Sequence, residues 1–192
     1  MTTKRQLLFV QGGGERVHDD WDAKLVTSLR AELGPDYEVL YPRMPNEDDP
    51  RYAAWATAIA HELAGLDEGA ILVGHSIGGA ILINALAEHP PERALGAIVL
   101  ISASFVGEGG WQSDDWAPHR ELGEKLPSGV PIYLFYGLAD TTVPTSHAEL
   151  YAHAIPQAEV RRVPARNHQF NDDLSEVAAV IRSLARAPFT AS

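Results

Sequence analysis

The chain has 192 residues, enough to form a sizeable core, and we expect a single domain over residues 1–192. Its formal net charge of −11 argues against nucleic-acid binding, because phosphate backbones are bound by clustered Lys and Arg side chains. The chain contains no cysteine, which excludes disulfides, thiolate metal sites and a cysteine nucleophile.

The first apolar run of the chain, Leu7–Val10, is shorter than the core of a signal peptide. No later run approaches the length of a membrane span. The sequence therefore favours a cytoplasmic protein that does not associate with membranes.

Short apolar runs alternate with longer amphipathic stretches along the chain. The short runs predict six strands, at Gln6–Gln11, Tyr37–Tyr41, Ala70–Gly74, Leu95–Ile101, Pro131–Tyr136 and Glu159–Val163. The middle four are nearly continuous apolar runs, which is typical of parallel strands covered on both faces.

The stretches between these strands predict five helices. Their expected starts are Asp19 or Asp20, Asp49-Pro50, the residue after Ser76, Pro144 and Asn171–Asp173. Three of the helices carry apolar side chains at helical spacing, namely Trp21, Leu25, Leu29 and Leu33; Trp55, Ile59 and Leu63; and Leu174, Val177, Val180, Ile181 and Leu184. Alternating strands and helices give right-handed crossovers and predict a doubly wound α/β sheet.

The most informative motif is Gly74-His75-Ser76-Ile77-Gly78, which follows the third predicted strand and precedes a helical pattern. A sharp strand-to-helix turn of this kind exposes its serine above the sheet edge and makes it a nucleophile. The turn brings strand and helix close together, and Gly74 and Gly78 supply the missing side chains. Ser76 is therefore the predicted nucleophile.

A serine nucleophile needs a base within hydrogen-bond reach and an acid that orients the base. Asp140 follows the fifth predicted strand, and His168 lies between the sixth strand and the last helix. Each residue taken alone could have another role, since Asp140 could cap a turn and His168 could be a surface loop residue. The order Ser76, Asp140, His168 predicts a catalytic triad.

The glycines after the first strand, Gly12–Gly14, predict one half of an oxyanion hole. We expect the backbone N–H of Gly13 to be one donor, with Gly12 as the fallback, and that of Ile77 to be the other. A phosphate-binding loop is the rival interpretation, but Val17 stands where its third glycine is expected.

The other histidines are weaker candidates for the site. His75 lies in the serine motif but is expected to point away from Ser76, in a structural or pocket-lining role. His18 and His119 lie in loops that could reach the site. No group of His, Asp or Glu has convincing metal-ligand spacing, so we expect no metal and no cofactor.

Taken together, these motifs resemble the α/β-hydrolase superfamily over nearly the whole chain. The run Tyr41–Pro50, followed by Trp55, is similar to the small serine hydrolases that include retinoblastoma-binding protein 9 and YdeN-like proteins. The resemblance implies an α/β-hydrolase fold with about six mostly parallel strands, helices on both faces and a minimal lid, without the superfamily's usual first two strands. Many relatives begin the oxyanion loop with His-Gly, whereas this chain has Gln11-Gly12, which puts the support of that loop in question.

The segment Ala103–Gly129 has little strand pattern and is expected to overhang the nucleophile. Phe105, Trp111 and Trp116 could form an apolar wall there, and we group them with Gly12 and His75 as predicted pocket residues. The alternative is that the two tryptophans anchor a long loop to the core.

The sequence therefore predicts a serine hydrolase, in particular a carboxylesterase that acts on small to medium acyl esters. Its expected partner is a small-molecule ester, with no nucleic acid and no membrane. The alternative is a hydrolase-like binding or interaction protein with little turnover, for which the departure at Gln11 is the support.

Overall fold

The computed structural model describes residues 4–184, within which six parallel strands form one sheet in the order β2-β1-β3-β4-β5-β6. The strands are β1 Arg5–Val10, β2 Tyr37–Leu40, β3 Ile71–His75, β4 Ala97–Ile101, β5 Ile132–Gly137 and β6 Glu159–Val163. The helices are α1 Asp22–Leu33, α2 Tyr52–Ala64, α3 Ser76–Glu88, α4 Leu122–Lys125, α5 Ser146–Ala154 and α6 Ser175–Leu184. The two ends of the domain predicted over residues 1–192, residues 1–3 and 185–192, lie outside the described part.

Alternating side chains of the strands supply two cores, one on each face of the sheet. Leu7 and Phe9 of β1 face the core formed with α1 and α6, whereas Leu8 and Val10 face the core formed with α2, α3 and α5. This arrangement confirms the predicted α/β fold with helices on both faces.

The strand order reverses between β1 and β3, because the chain first adds β2 on one side of β1 and then β3 on the other. The crossovers on the two sides leave a crevice at the carboxyl ends of these strands, where ligands bind in open α/β sheets. The glycine loop after β1 and the serine turn after β3 both open into this crevice.

Two parts of the predicted secondary structure are wrong. The second predicted strand was expected to be covered on both faces, but Glu38 on β2 is exposed and β2 lies at the edge of the sheet. The first helix begins at Asp22, after a π-helical turn at Val17–Trp21, rather than at Asp19 or Asp20. Because of this shift Trp21 is half exposed and Asp22 is buried.

The starts of three other helices are displaced from their predicted positions. α2 begins at Tyr52 and α5 at Ser146, each about one half-turn or more past the proline expected to open it. A short 3₁₀ turn at Phe170–Asp172 precedes α6, which begins at Ser175. Within the described residues, no helix is both long and apolar enough to cross a membrane.

Candidate active site

The turn between β3 and α3 holds Ser76 in a left-handed backbone conformation, with φ of 54°. Such a conformation is strained for a residue with a side chain, and strained residues of this kind cluster at functional sites. The strand and helix meet so closely that a Cβ on Gly74 would lie 2.6 Å from Gly79 Cα. A Cβ on Gly78 would overlap the Gln11 carbonyl oxygen. Glycine at both positions is therefore a steric requirement of the turn.

Ser76, His168 and Asp140 form a continuous hydrogen-bonded chain. His168 Nε2 lies 3.1 Å from Ser76 Oγ, and His168 Nδ1 lies 2.8 Å from Asp140 Oδ2. The three residues come from the ends of β3, β5 and β6, whose carboxyl ends share one edge of the sheet. The structure thus brings the three predicted triad residues together.

The Asp140 side chain is fully buried beneath His168. Its Oδ1 accepts the backbone N–H of Thr142 at 2.8 Å and that of Val143 at 2.9 Å, which leaves Oδ2 for the imidazole. Burial by itself would raise the pKa of Asp140, but the hydrogen bonds from His168 and from the two N–H groups bring the pKa below its ordinary value. Asp140 is therefore held as a carboxylate that accepts from His168 Nδ1.

The glycine loop after β1 lies directly against the serine turn. A Cβ on Gly13 would approach Ile77 Cγ2 to 2.9 Å and Pro50 Cγ to 2.8 Å, so its backbone is in contact with both residues. The N–H of Gly12, in contrast, donates to Asp22 Oδ2 at 2.7 Å. This bond makes the Gly12 N–H unavailable to a substrate, so Gly12 does not suit the fallback role of oxyanion donor.

Gln11 supports this loop at the position where the resemblance to α/β-hydrolases implies a histidine. Its fully buried side chain donates to Glu47 Oε2 at 2.6 Å and accepts the N–H of Met44 at 3.0 Å. Gly14 N–H in turn donates to the Glu47 carbonyl at 2.7 Å. The loop after β1 is therefore tied to the 42–50 loop, and Gln11 supplies the link that the sequence left in question.

A cleft of about 490 Å³ opens over Ser76. This volume lies within the range of small-molecule sites. The residues that line the cleft are Gly12, Gly13, Gly14, Val17, Asp48, Pro50, His75, Ser76, Ile77, Val106, Trp111, Gln112, Ser113, Trp116, Thr142, His168 and Gln169. Four of the five predicted pocket residues are among them.

The exception is Phe105, which does not line the cleft. Its ring packs edge-on against Tyr151 with ring centroids 5.1 Å apart, and its N–H donates to His147 Nδ1 at 2.8 Å. Phe105 therefore anchors the β4–β5 segment to the core. The prediction was wrong because an aromatic residue in a loop gives no sign of which side it faces.

Trp116 has both of the roles that the sequence left open. It lines the cleft, and it also stacks on Tyr52 of α2 with ring centroids 4.7 Å apart. The neighbouring Asp115 accepts the N–H of Tyr52, which fixes the same segment to the start of α2. Trp111 at the cleft rim is more exposed, at 37%.

The histidines outside the hydrogen-bonded chain have separate environments. His75 is buried and contacts Asp22, while His18 stacks on Tyr41 and does not line the cleft. His119 also lies outside the cleft, 3.2 Å from Glu88. Asp22 was missed by sequence reasoning, since a lone aspartate at a helix start is more simply interpreted as a cap. Among residues 4–184, no group of three or more His, Asp or Glu side chains is placed to hold a metal ion.

Residues 7–190 match the alpha/beta hydrolase family. The chain belongs to this family. The family match and the sheet order agree with the resemblance based on the serine motif. No match was found among curated proteins.

Several solved structures share the fold of this family member. The ydeN gene product from B. subtilis has a TM-score of 0.76 and 22% identity, over 96% of this chain and 100% of that one. The esterase RhEst1 from Rhodococcus sp. ECU1013 has a TM-score of 0.72 and 20% identity, over 95% of this chain and 91% of that one. The monoacylglycerol lipase from Paleococcus ferrophilus has a TM-score of 0.66 and 16% identity, over 96% of each chain. At these identities the likeness shows the fold alone.

Proposed function

We propose that the protein is a serine hydrolase, in particular a carboxylesterase that acts on small to medium acyl esters. The observation that carries the proposal is the hydrogen-bonded chain from Ser76 Oγ through His168 to the buried Asp140. A family relationship to hydrolases, with an esterase and a lipase among proteins of the same fold, supports it.

In the proposed mechanism His168 Nε2 takes the proton of Ser76 as Oγ attacks the acyl carbon of the ester. The backbone N–H groups of Gly13 and Ile77 stabilise the negative charge that develops on the carbonyl oxygen. His168 then gives the proton to the departing alcohol. A water molecule, deprotonated by His168, attacks the acyl-enzyme and releases the acid.

Asp140 holds His168 with its proton on Nδ1, so that Nε2 presents a lone pair to Ser76. It also stabilises the imidazolium that forms during each half of the reaction. The chemistry requires no cofactor, and thioesters, amides or lactones would use the same groups.

The cleft supports a substrate of modest size. Its walls are partly apolar, with Val106, Trp111 and Trp116 on the β4–β5 side and Pro50 on the other. The β4–β5 segment contains a single short helix, α4, rather than a large cap. A short or medium acyl chain would fit against this wall, whereas a long chain would extend into solvent.

Labelling with a fluorophosphonate probe tests the proposal. We expect the folded protein to gain one probe mass, on the peptide that contains Ser76 and not on the one that contains Ser113, the other serine of the cleft. Ser76→Ala should abolish labelling. A folded wild-type protein that does not label would contradict the proposal and favour the alternative of a binding protein with little turnover.

A series of chromogenic esters with acyl chains of increasing length then measures the depth of the pocket. We expect kcat/KM to be highest for short and medium chains, because the apolar wall is short. A steady rise up to long chains would contradict this substrate range.

A further inference from the structure

A second carboxylate–imidazole pair lies directly behind Ser76. The Asp22 side chain is fully buried, His75 is only 1% exposed, and Asp22 Oδ2 lies 3.0 Å from His75 Nδ1. The mechanism proposed above makes no use of either side chain. A buried ionisable pair needs hydrogen-bond partners to offset its loss of hydration. Among residues 4–184 Asp22 Oδ1 has no such partner, whereas Asp22 Oδ2 and both ring nitrogens of His75 do.

Those partners belong to the two loops that flank Ser76. His75 Nε2 lies 3.1 Å from the backbone carbonyl of His168, the predicted base. Asp22 Oδ2 accepts the N–H of Gly12 at 2.7 Å, in the predicted oxyanion loop. His75 itself precedes Ser76 in the chain, so the pair connects three segments around one nucleophile.

The partners also define the protons on His75. A carbonyl oxygen can only accept a hydrogen bond, so Nε2 carries a proton. Nδ1 faces a carboxylate, which also accepts, so Nδ1 carries a proton as well. His75 is therefore an imidazolium balanced by the Asp22 carboxylate, and it cannot take a proton from a substrate or from Ser76.

We propose that Asp22 and His75 form a positioning pair. The pair holds the loop that carries His168 and the loop that carries Gly12 and Gly13 in fixed positions relative to Ser76. This inference rests on the proposed serine-hydrolase function. The contact is close, since a Cβ on Gly12 would lie 3.2 Å from His75 Nδ1 and 3.2 Å from Ser76 Cβ. A shift of the pair would therefore move Gly12, and with it the neighbouring Gly13.

Three segments place charged or titratable groups near His75. These groups are Asp22 at the start of α1, His168 in the loop between β6 and α6, and Asp140 in the loop after β5. Burial by itself would lower the pKa of His75, but the Asp22 carboxylate and the hydrogen bonds to Asp22 and His168 raise the pKa above its ordinary value. His75 is thus expected to keep its second ring proton to a higher pH than an ordinary histidine and to lose it as the pH rises further.

Nitrogen-15 NMR of the wild-type protein tests the arrangement without any assay of activity. We expect two exchange-protected ring N–H signals from His75 at pH 7, both absent in His75→Gln. Asp22→Asn should retain at most one of them, because Asn can accept from Nδ1 but supplies no charge to stabilise the second proton. A single ring N–H from His75 in the wild type would overturn the inference.

Kinetics on a chromogenic acetate ester test the positioning role. In Asp22→Asn the amide oxygen can still accept from Gly12, but Nε2 loses its proton and its bond to the His168 carbonyl. We expect kcat to fall about 10- to 100-fold, as for a small displacement of a reacting group, while KM changes less than about threefold. The wild-type kcat should fall at alkaline pH as His75 loses its proton, and Asp22→Asn should lack this alkaline fall.

Leu25→Ala is the matched control, because Leu25 is a fully buried residue of the same helix that faces the core. It should lower the thermal midpoint but leave kcat and its pH profile unchanged. The inference is overturned if Asp22→Asn keeps the wild-type kcat and profile, or if Leu25→Ala loses as much kcat. A wild-type protein that does not react with the fluorophosphonate would instead refute the proposed function, and the ring N–H signals would still decide whether the pair exists as described.

Discussion

The two carboxylate–imidazole pairs, Asp140–His168 and Asp22–His75, have similar local geometry but different proposed roles. Their Nδ1-to-carboxylate distances are 2.8 Å and 3.0 Å, and their imidazole rings are 4.9 Å apart, centroid to centroid. In the first pair Nε2 faces the Ser76 hydroxyl, and in the second it faces a backbone carbonyl.

The group opposite Nε2 decides what each imidazole can do. A hydroxyl can donate its proton to Nε2, so His168 is suited to general-base catalysis. A carbonyl has no proton to give, so His75 can only donate and is suited to holding a loop. Solvent access is consistent with these roles, since the side chain of the proposed base, His168, is 16% exposed and that of His75 only 1%. An aspartate next to a histidine is therefore not by itself a sign of catalysis.

The largest expected effect comes from Asp140→Asn. Thr142 and Val143 donate to Oδ1, so the amide oxygen of Asn would take that position and its NH₂ would face His168 Nδ1. His168 would then carry its proton on Nε2, towards Ser76, and could not accept another. We expect kcat on a chromogenic ester to fall about 10⁴-fold with the fold retained, measured by steady-state kinetics and circular dichroism.

Asp172→Asn is the control for this variant. Asp172 lies four positions after His168 but is exposed and contacts Lys24 at 3.6 Å. Its substitution should leave kcat unchanged. Near-normal turnover in Asp140→Asn would mean that a different acid orients His168.

A smaller effect on kcat/KM is expected from a substitution in the wall of the cleft, away from both carboxylate–imidazole pairs. Trp111→Ala removes part of the apolar wall, so kcat/KM for a hexanoate ester should fall about tenfold, while that for an acetate ester should change little. The pH profile should not change, because neither pair is touched. Trp21→Ala is the control, since Trp21 is also exposed but does not line the cleft. Equal losses for both esters would place Trp111 in the support of the site rather than in acyl recognition.

The smallest expected effect is on stability. The contributions of the two pairs to the free energy of unfolding should depend on pH in opposite directions. The pKa of Asp140 is below its ordinary 3.8, so its contribution to the free energy of unfolding is complete above pH 3.8 and is lost as the pH falls below that value. The pKa of His75 is above its ordinary 6.5, so its contribution is complete below pH 6.5 and is lost as the pH rises through the raised pKa.

Thermal midpoints measured from pH 3 to pH 10 would separate the two contributions. Asp140→Asn should flatten the acid side of the profile and Asp22→Asn the alkaline side, by a few degrees each, as expected for about 1 kcal/mol in a domain of this size. The same variant flattening both sides would mean that the two pairs titrate as one unit.

The sequence by itself determined the alternation of strands and helices and the residues of the hydrogen-bonded chain. Apolar runs gave the α/β fold, and Gly74 and Gly78 on either side of Ser76 indicated a turn that tolerates no side chain at these positions. Asp140 and His168 could be selected because each follows a strand, and parallel strands all end at one edge of the sheet. These signals are local, so they can be read without knowing what packs against them.

Only the tertiary structure decided which residues support that chain. Asp22 is a lone carboxylate at a helix start, and its burial depends on the exact start of α1, which follows an unpredicted π-helical turn. Gln11 supports its loop through a hydrogen bond to Glu47, 36 positions away in the chain. Phe105 packs against Tyr151 and does not line the cleft. Contacts of this kind join segments that are distant in sequence, and their energy depends on orientation and burial, which no residue type or spacing encodes.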